Sequence, residues 1–235
     1  MRCVILLAVA ACDLQIGLPH GTGVPVMDVE VVGHADGTAD ITGCWSQYTS
    51  PYCSQGGDLV VQVGAEQVRA EFELSAISSS GAEAGRFKAT TDRIAPGSPI
   101  EIRFDGAAAA TTLPLGFELI EPTTGATVSA ANPRVRATWK PAELGTTASV
   151  VTNYRCEDLT SSRSSVVTLA SFSGGDPGTA ELDLGVIAGP GESCTFDLIV
   201  QHANVIAVPA DPDGGYGSLA VSAHQNRQVS VRLIP

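Results

Sequence analysis

Apolar and polar residues alternate along most of this chain, and helical spacing prevails over no long window. The alternation comes in short runs closed by turn residues, the mark of β-strands. "VPVMDVEVVG" opens the series, with Val29 and Val31 on one parity and Asp28 and Glu30 on the other. "HADG" follows, and its Asp-Gly predicts a hairpin turn. "TADITGCW", "DLVVQVGA", "VRAEFELSAI", "GRFKATTD" and "PIEIRFDG" read as further strands. In the last of these, Ile100, Ile102 and Phe104 alternate with Glu101 and Arg103, which predicts one buried and one wet face. "GAAAATTLPLG" (106–116) breaks the pattern and reads as an extended connector, because Gly106 and the Thr-Thr-Leu-Pro after it oppose a helix. The pattern then restarts. "FELIEP", "RVRATWK", "ASVVTNYRC", "SSVVTLASF", "GTAELDLGVI", "CTFDLIVQHANVIAV" and "GSLAVSAHQNRQVSVRLI" complete a second set. The expected fold class is all-β, with two tandem β-sandwich domains, 24–112 and 113–235.

Composition narrows the partners. Lys and Arg total 13 against 25 acids, for a net charge of −12. Nucleic-acid binding needs basic patches that displace counterions from phosphates, so no nucleic-acid partner is expected. The same charge opposes electrostatic adhesion to anionic lipid.

The first residues supply a different attachment. "MRCVILLAVAAC" has one charge, Arg2, and then an apolar run over 4–11. Eight residues fall far short of the ~20 that span a bilayer as a helix, but they suit the apolar region of a secretory signal. The small residues Ala10 and Ala11 before Cys12 resemble the bacterial lipobox. The resemblance implies cleavage before Cys12, whose thiol then carries a diacylglycerol and whose new amino group carries an acyl chain. Two or more chains hold a protein stably on a membrane. The expectation is a signal over 1–11, a lipidated tether over 12–23, and a bacterial cell-envelope location with the membrane as partner.

An exported compartment is oxidising, so Cys44, Cys53, Cys156 and Cys194 are read as disulfides. Four cysteines allow three connectivities. Pairing within each proposed domain favours Cys44–Cys53 and Cys156–Cys194. Neither spacing matches a redox or zinc motif. Cys44–Cys53 would close "CWSQYTSPYC" into a small loop carrying Trp45, Tyr48 and Tyr52. These aromatics either cap the local core or form a platform for a sugar or a protein partner.

The second set resembles a fibronectin type III or bacterial immunoglobulin-like domain. "VRATWKPAE" is similar to that family's second strand, with Trp139 as its core tryptophan. "VIAGPGESCTFDLIVQHAN" is similar to the corner that leads into the sixth strand. The family usually carries a tyrosine where Cys194 stands, and that tyrosine's hydroxyl ties the corner. A Cys156–Cys194 bond replacing the tie is what the resemblance implies.

Catalytic signatures do not surface: G-x-S-x-G, H-E-x-x-H and a phosphate-binding glycine loop are all missing from the sequence. Centring the last hairpin on Asp213 would set His202 opposite His224, as a metal site requires. The alternation opposes this. Phe196, Leu198 and Val200 turn even positions inward, whereas Leu219, Val221 and Val231 turn odd ones inward, so His202 faces in and His224 out. Asp211 and Asp213 in "DPDGG" offer oxygens for calcium, but lack the remaining acids of a calcium loop and read as a hairpin turn. The chain is therefore expected to be a binding or scaffold module, with no enzymatic activity, no cofactor and no metal. The alternative is a secreted hydrolase or carbohydrate-binding accessory using the loop 45–52.

Overall fold

The computed structural model describes residues 26–46, 57–77, 83–92, 94–142, 146–157, 162–173, 175–189, 191–210 and 217–235. Cys12, Tyr48, Tyr52, Cys53, Asp211 and Asp213 lie outside the described residues.

The described chain is β-strand with one short 3-10 helix, Leu184–Val186. In the first half, β1 (Val26–Gly33), β2 (Ala39–Ser46), β6 (Glu83–Thr91) and β5 (Glu71–Ile77) pair side by side in one sheet. A second sheet runs β4 (Glu66–Arg69), β3 (Leu59–Val63), β7 (Pro99–Phe104), β8 (Ala107–Thr112). The alternation read from the sequence fills the space between them. Met27, Val29 and Val31 on β1 and Ile100, Ile102 and Phe104 on β7 are all buried in one core.

In the second half, β9 (Glu118–Glu121), β11 (Arg134–Lys140) and β14 (Thr179–Asp183) form a three-stranded sheet. Opposite lie β13 (Ser162–Phe172), β12 (Thr147–Glu157), β15 (Ser193–Val208) and β16 (Ser218–Ile234), with β10 (Ala126–Ser129) parallel to the end of β16. Counting β9 and β10 as one strand that changes sheets, β11 is second and β15 sixth. First, second and fifth strands thus face third, fourth, sixth and seventh, the layout of an immunoglobulin- or fibronectin-like sandwich. Trp139 on β11 is buried at the centre of this second core, beside Phe196 and Leu198.

Three features differ from the sequence reading. First, the connector expected over 106–116 is mostly strand. Asp105 and Gly106 have φ of 47° and 89°, and this pair of positive values builds a two-residue hairpin in which Phe104 opposes Ala107. Only 113–117 links the two halves. Second, "VRAEFELSAI" is two strands. Ala70 is buried between them, its N–H donating to Leu59 O at 2.9 Å, and there the chain crosses from one sheet to the other.

Third, the two cores do not divide the chain into consecutive stretches at 113. Strands β15 and β16 have 16 and 17 residues and pair without a break from Cys194–Leu233 to Val208–Leu219. At a rise of about 3.3 Å per residue such a hairpin is roughly 50 Å long, more than one sandwich needs. One end lies in the second core. The other pairs in parallel with β1, Val26 opposite Ser218 through Gly33 opposite Gln225, and puts Leu219, Val221 and Ala223 into the first core. One hydrogen-bonded sheet therefore runs from β13 through the hairpin to β5.

Candidate functional site

The inward positions of the shared hairpin change character at its middle. On β15, Phe196, Leu198 and Val200 fill the second core, and Ile206 and Val208 pack on the first. Between them stand His202 and Asn204. On β16, Leu219, Val221 and Ala223 serve the first core and Val229, Val231 and Leu233 the second, with Gln225 and Arg227 between. His202 is directly opposite Gln225. Two polar residues on each strand thus form a waist between the cores.

The waist is tied to the rest of the chain. Asn204 Nδ2 donates to Thr112 O at 2.9 Å and to Thr112 Oγ1 at 3.2 Å, holding the last residue of β8. The His202 ring stacks on Phe117, with centroids 4.0 Å apart and planes at 23°. The Arg227 guanidinium lies 5.2 Å from the Phe117 ring centre. The Trp139 ring meets His202 edge-on at 6.4 Å. Phe117 is the last residue of the link, so this stack docks the link against the hairpin.

Asp176 closes the arrangement from the turn before β14. Its Oδ1 accepts from Trp139 Nε1 at 2.7 Å and from Gly178 N–H at 2.8 Å. Its Oδ2 lies 3.0 Å from His202 Nε2, and both side chains are fully buried. Burial pushes the His202 imidazole below its ordinary pKa; the Asp176 carboxylate opposes this and the Arg227 charge adds to it. An acid and an imidazole in contact resemble the orienting half of a proton-transfer device. Sealed from water and engaged by Trp139, this pair is built to hold strands.

Beside the waist a groove of about 630 Å³ is lined by Gly116, Phe117, Glu118, Lys140, Pro141 and Arg227. Burial lowers the Arg227 pKa, with Glu118 acting against it. Its Nη1 donates to Asn226 O at 2.7 Å, which turns the guanidinium along its own strand.

The residues singled out from the sequence are scattered. Trp45 is half-buried at the end of β2, tilted 49° to Phe104 at 6.1 Å, and so packs against the first core. Cys44 is disulfide-bonded. Cys156 and Cys194 are bonded to each other and stand directly opposite on β12 and β15, so the bond joins neighbouring strands of one sheet. Glu192 comes close to both sulfurs, but sulfurs bonded to each other are not thiolate ligands. Glu192 instead holds Arg163, whose Nε donates to Oε1 at 3.1 Å, and it receives Gly189 N–H at 2.7 Å.

His202 and His224 lie on opposite faces, since the register sets Ala203 against His224. His224 was expected to be wet on its outer face. It is buried there instead, 3.7 Å from Glu30, because it sits mid-sheet between β15 and β1. The waist itself escaped sequence reading. Its signal was present as polar residues at 202, 204, 225 and 227, inward positions on strands otherwise apolar there.

No family model and no curated protein matches the chain. Among solved structures, a tandem from titin is 7% identical, with 89% of this chain and 65% of that one covered and a TM-score of 0.23. The FN1 to FN3 domains of chicken CNTN1 are 11% identical, with 88% and 65% covered and a TM-score of 0.23. A DUF4785 family protein from Legionella pneumophila is 10% identical, with 75% and 52% covered and a TM-score of 0.27. The chain spans less than two thirds of each of these structures.

Proposed function

We propose that this protein is a non-catalytic scaffold or binding module of the bacterial cell envelope, anchored through a lipidated Cys12. Its two sandwiches would present their loops at a fixed distance and angle. The observation that supports this reading is the β15–β16 hairpin, which contributes side chains to both cores and leaves 113–117 as a docked link. An inter-domain connection is mobile by default unless its interface is large and apolar; shared strands remove that freedom. The Asp176–His202 pair, fully buried on both sides, supports a structural use of this contact.

Spin labels at Thr90 and Glu181, both exposed and one in each sandwich, test the rigid scaffold. A single narrow distance distribution is expected, and a broad or two-peaked one would refute rigidity. The anchor is tested separately: Cys12→Ser should lose the lipid mass and release the protein from membranes, and unchanged mass and fractionation would count against it.

The carbohydrate reading keeps one specific support, the half-exposed Trp45 next to a disulfide-bonded cysteine. Glycan binding abolished by Trp45→Ala in a folded protein would favour it.

A further inference from the structure

Most arginines and lysines among the described residues are matched by a carboxylate. Arg69, Lys88, Arg103, Arg136, Arg155 and Arg163 each reach one at 3.7 Å or less. Lys140 and Arg227 differ. Among the described residues no carboxylate stands within ion-pair distance of either, and both line the groove of about 630 Å³ beside the waist.

Arg227 is half-buried, and a charge withdrawn from water costs free energy unless it is paired or hydrogen-bonded. Its Nη1 is committed within β16, to Asn226 O at 2.7 Å and Gln225 Oε1 at 3.4 Å. The Phe117 ring, 5.2 Å away, fixes the guanidinium in place before any ligand arrives. Nη2 has no hydrogen-bond partner among the described residues. It lies beside Gly116, where a Cβ would stand 3.9 Å from Nη2 and 3.0 Å from Pro96 Cγ. The glycine therefore leaves this nitrogen uncovered. Lys140 brings a second charge from the exposed end of β11. Glu118 stands opposite Lys140 in the ladder and also acts on Arg227. Two cations against one acid leave the groove with one net positive charge, on a molecule whose net charge is −12.

We propose that this groove binds a small organic monocarboxylate, whose oxygens accept from Arg227 Nη2 and Lys140 Nζ while its body lies along Gly116 and Pro141. One net positive charge suits a monoanion, whereas a phosphate dianion would set an unmatched charge against Glu118. The volume falls within the roughly 300–1,000 Å³ of small-molecule sites, which favour junctions between domains. It is far more than acetate fills. The occupant is therefore of sugar or dipeptide size, either a hexuronic acid or a short peptide ending in a free carboxylate; both present the same anion to the groove. The site is independent of the lipid anchor and of Trp45.

The test uses the full chain with Cys3 and Cys12 changed to Ser, isotope-labelled for nuclear magnetic resonance at neutral pH. It is titrated with galacturonate and with N-acetyl-alanyl-alanine, beside galactose and N-acetyl-alanyl-alanine amide as uncharged counterparts. The amide resonances of Gly116, Phe117 and Glu118 should shift and saturate with a Kd on the order of 1–10 mM for at least one acid, and stay in place with its uncharged counterpart. The acid that binds more tightly identifies the source. Lys140→Glu reverses the charge of the groove and should weaken binding about fivefold or more. Arg134→Glu makes the same change at the other end of β11, outside the groove, and should leave the affinity within about twofold. Both positions are exposed, and circular dichroism checks that both variants fold. No saturable shift with either acid up to about 100 mM would overturn the proposal. So would equal shifts from the uncharged counterparts, tighter binding of inorganic phosphate than of either acid, or equal weakening by Lys140→Glu and Arg134→Glu, which would reflect overall charge alone.

Discussion

Replacing Asp176 with Ala should cost this protein more stability than any other single loss of a polar side chain. Three groups depend on that carboxylate: Trp139 Nε1 at 2.7 Å, Gly178 N–H at 2.8 Å and His202 Nε2 at 3.0 Å. The Trp139 and His202 side chains have no solvent to turn to. A buried donor left without an acceptor costs about 1–3 kcal/mol, and Asp176→Ala leaves two of them, Trp139 Nε1 and His202 Nε2. These penalties overlap, so Asp176→Ala should lose about 3–5 kcal/mol. Asp176→Asn keeps an acceptor oxygen for Trp139 and Gly178 and changes only the atom facing His202; it should lose about 1–2 kcal/mol. Urea unfolding at pH 7, followed by far-ultraviolet dichroism, measures both. The slope with denaturant should stay constant, so that the shift in midpoint reports stability alone. A loss under about 1 kcal/mol for the Ala variant, or equal losses for Ala and Asn, would show that the carboxylate does not hold the waist.

Cys156→Ser with Cys194→Ser opens a loop of sequence separation 38 and should lower stability by about 4 kcal/mol on the loop-entropy estimate; a loss under about 1 kcal/mol in urea would refute a stabilising role. Because both cores share the hairpin, Trp45 in the first and Trp139 in the second should report one coincident unfolding midpoint when each is the sole tryptophan, and two separated transitions would contradict the shared sheet. Burial pushes the His224 imidazole down to about 4, whereas in an unfolded chain it titrates near 6.5. Between those values the unfolded chain takes up the proton first, so stability should fall as pH falls, by up to about 3 kcal/mol. Glu30, raised by burial, acts in the opposite sense, and the depressed His202 in the same sense. His224→Gln should flatten the slope, and an unchanged slope in pH-dependent urea melts would refute the assignment.

Local pattern carried the strands and failed at their partners. Met27, Val29 and Val31 alternate in the sequence and are buried in the structure, because the two-residue period of a strand is a local property. The second-strand and sixth-strand resemblances agree with β11 and β15 for the same reason. The hairpin at Asp105 and Gly106 carries a sequence signal as clear as the one at "HADG", but the four alanines after it hid the strand. Pairing of β1 with β16 joins residues nearly 200 apart, and no periodicity encodes such a register. Asp176 shows the same limit, since its partners at 139 and 202 are adjacent only after two sheets have closed on each other.

What the alternation did contain, unread, was the waist. Along β16 the inward series is Leu219, Val221, Ala223, Gln225, Arg227, Val229, Val231 and Leu233, apolar except at its middle. Along β15 the same series is broken at His202 and Asn204. A strand serving one core has no reason to interrupt its buried face with paired polar residues, because each costs free energy unless it is hydrogen-bonded or solvated. Two strands of a hairpin interrupted at the same height imply that two cores end there. The break lies at residues 202–204 and 225–227, well beyond the connector that suggests a boundary near 113. It separates cores, whereas a connector separates stretches of chain, and here the two separations differ. That difference is why the molecule is expected to move as one body: a bend at 113–117 would have to break the β15–β16 ladder or strip Phe117 from between His202 and Arg227.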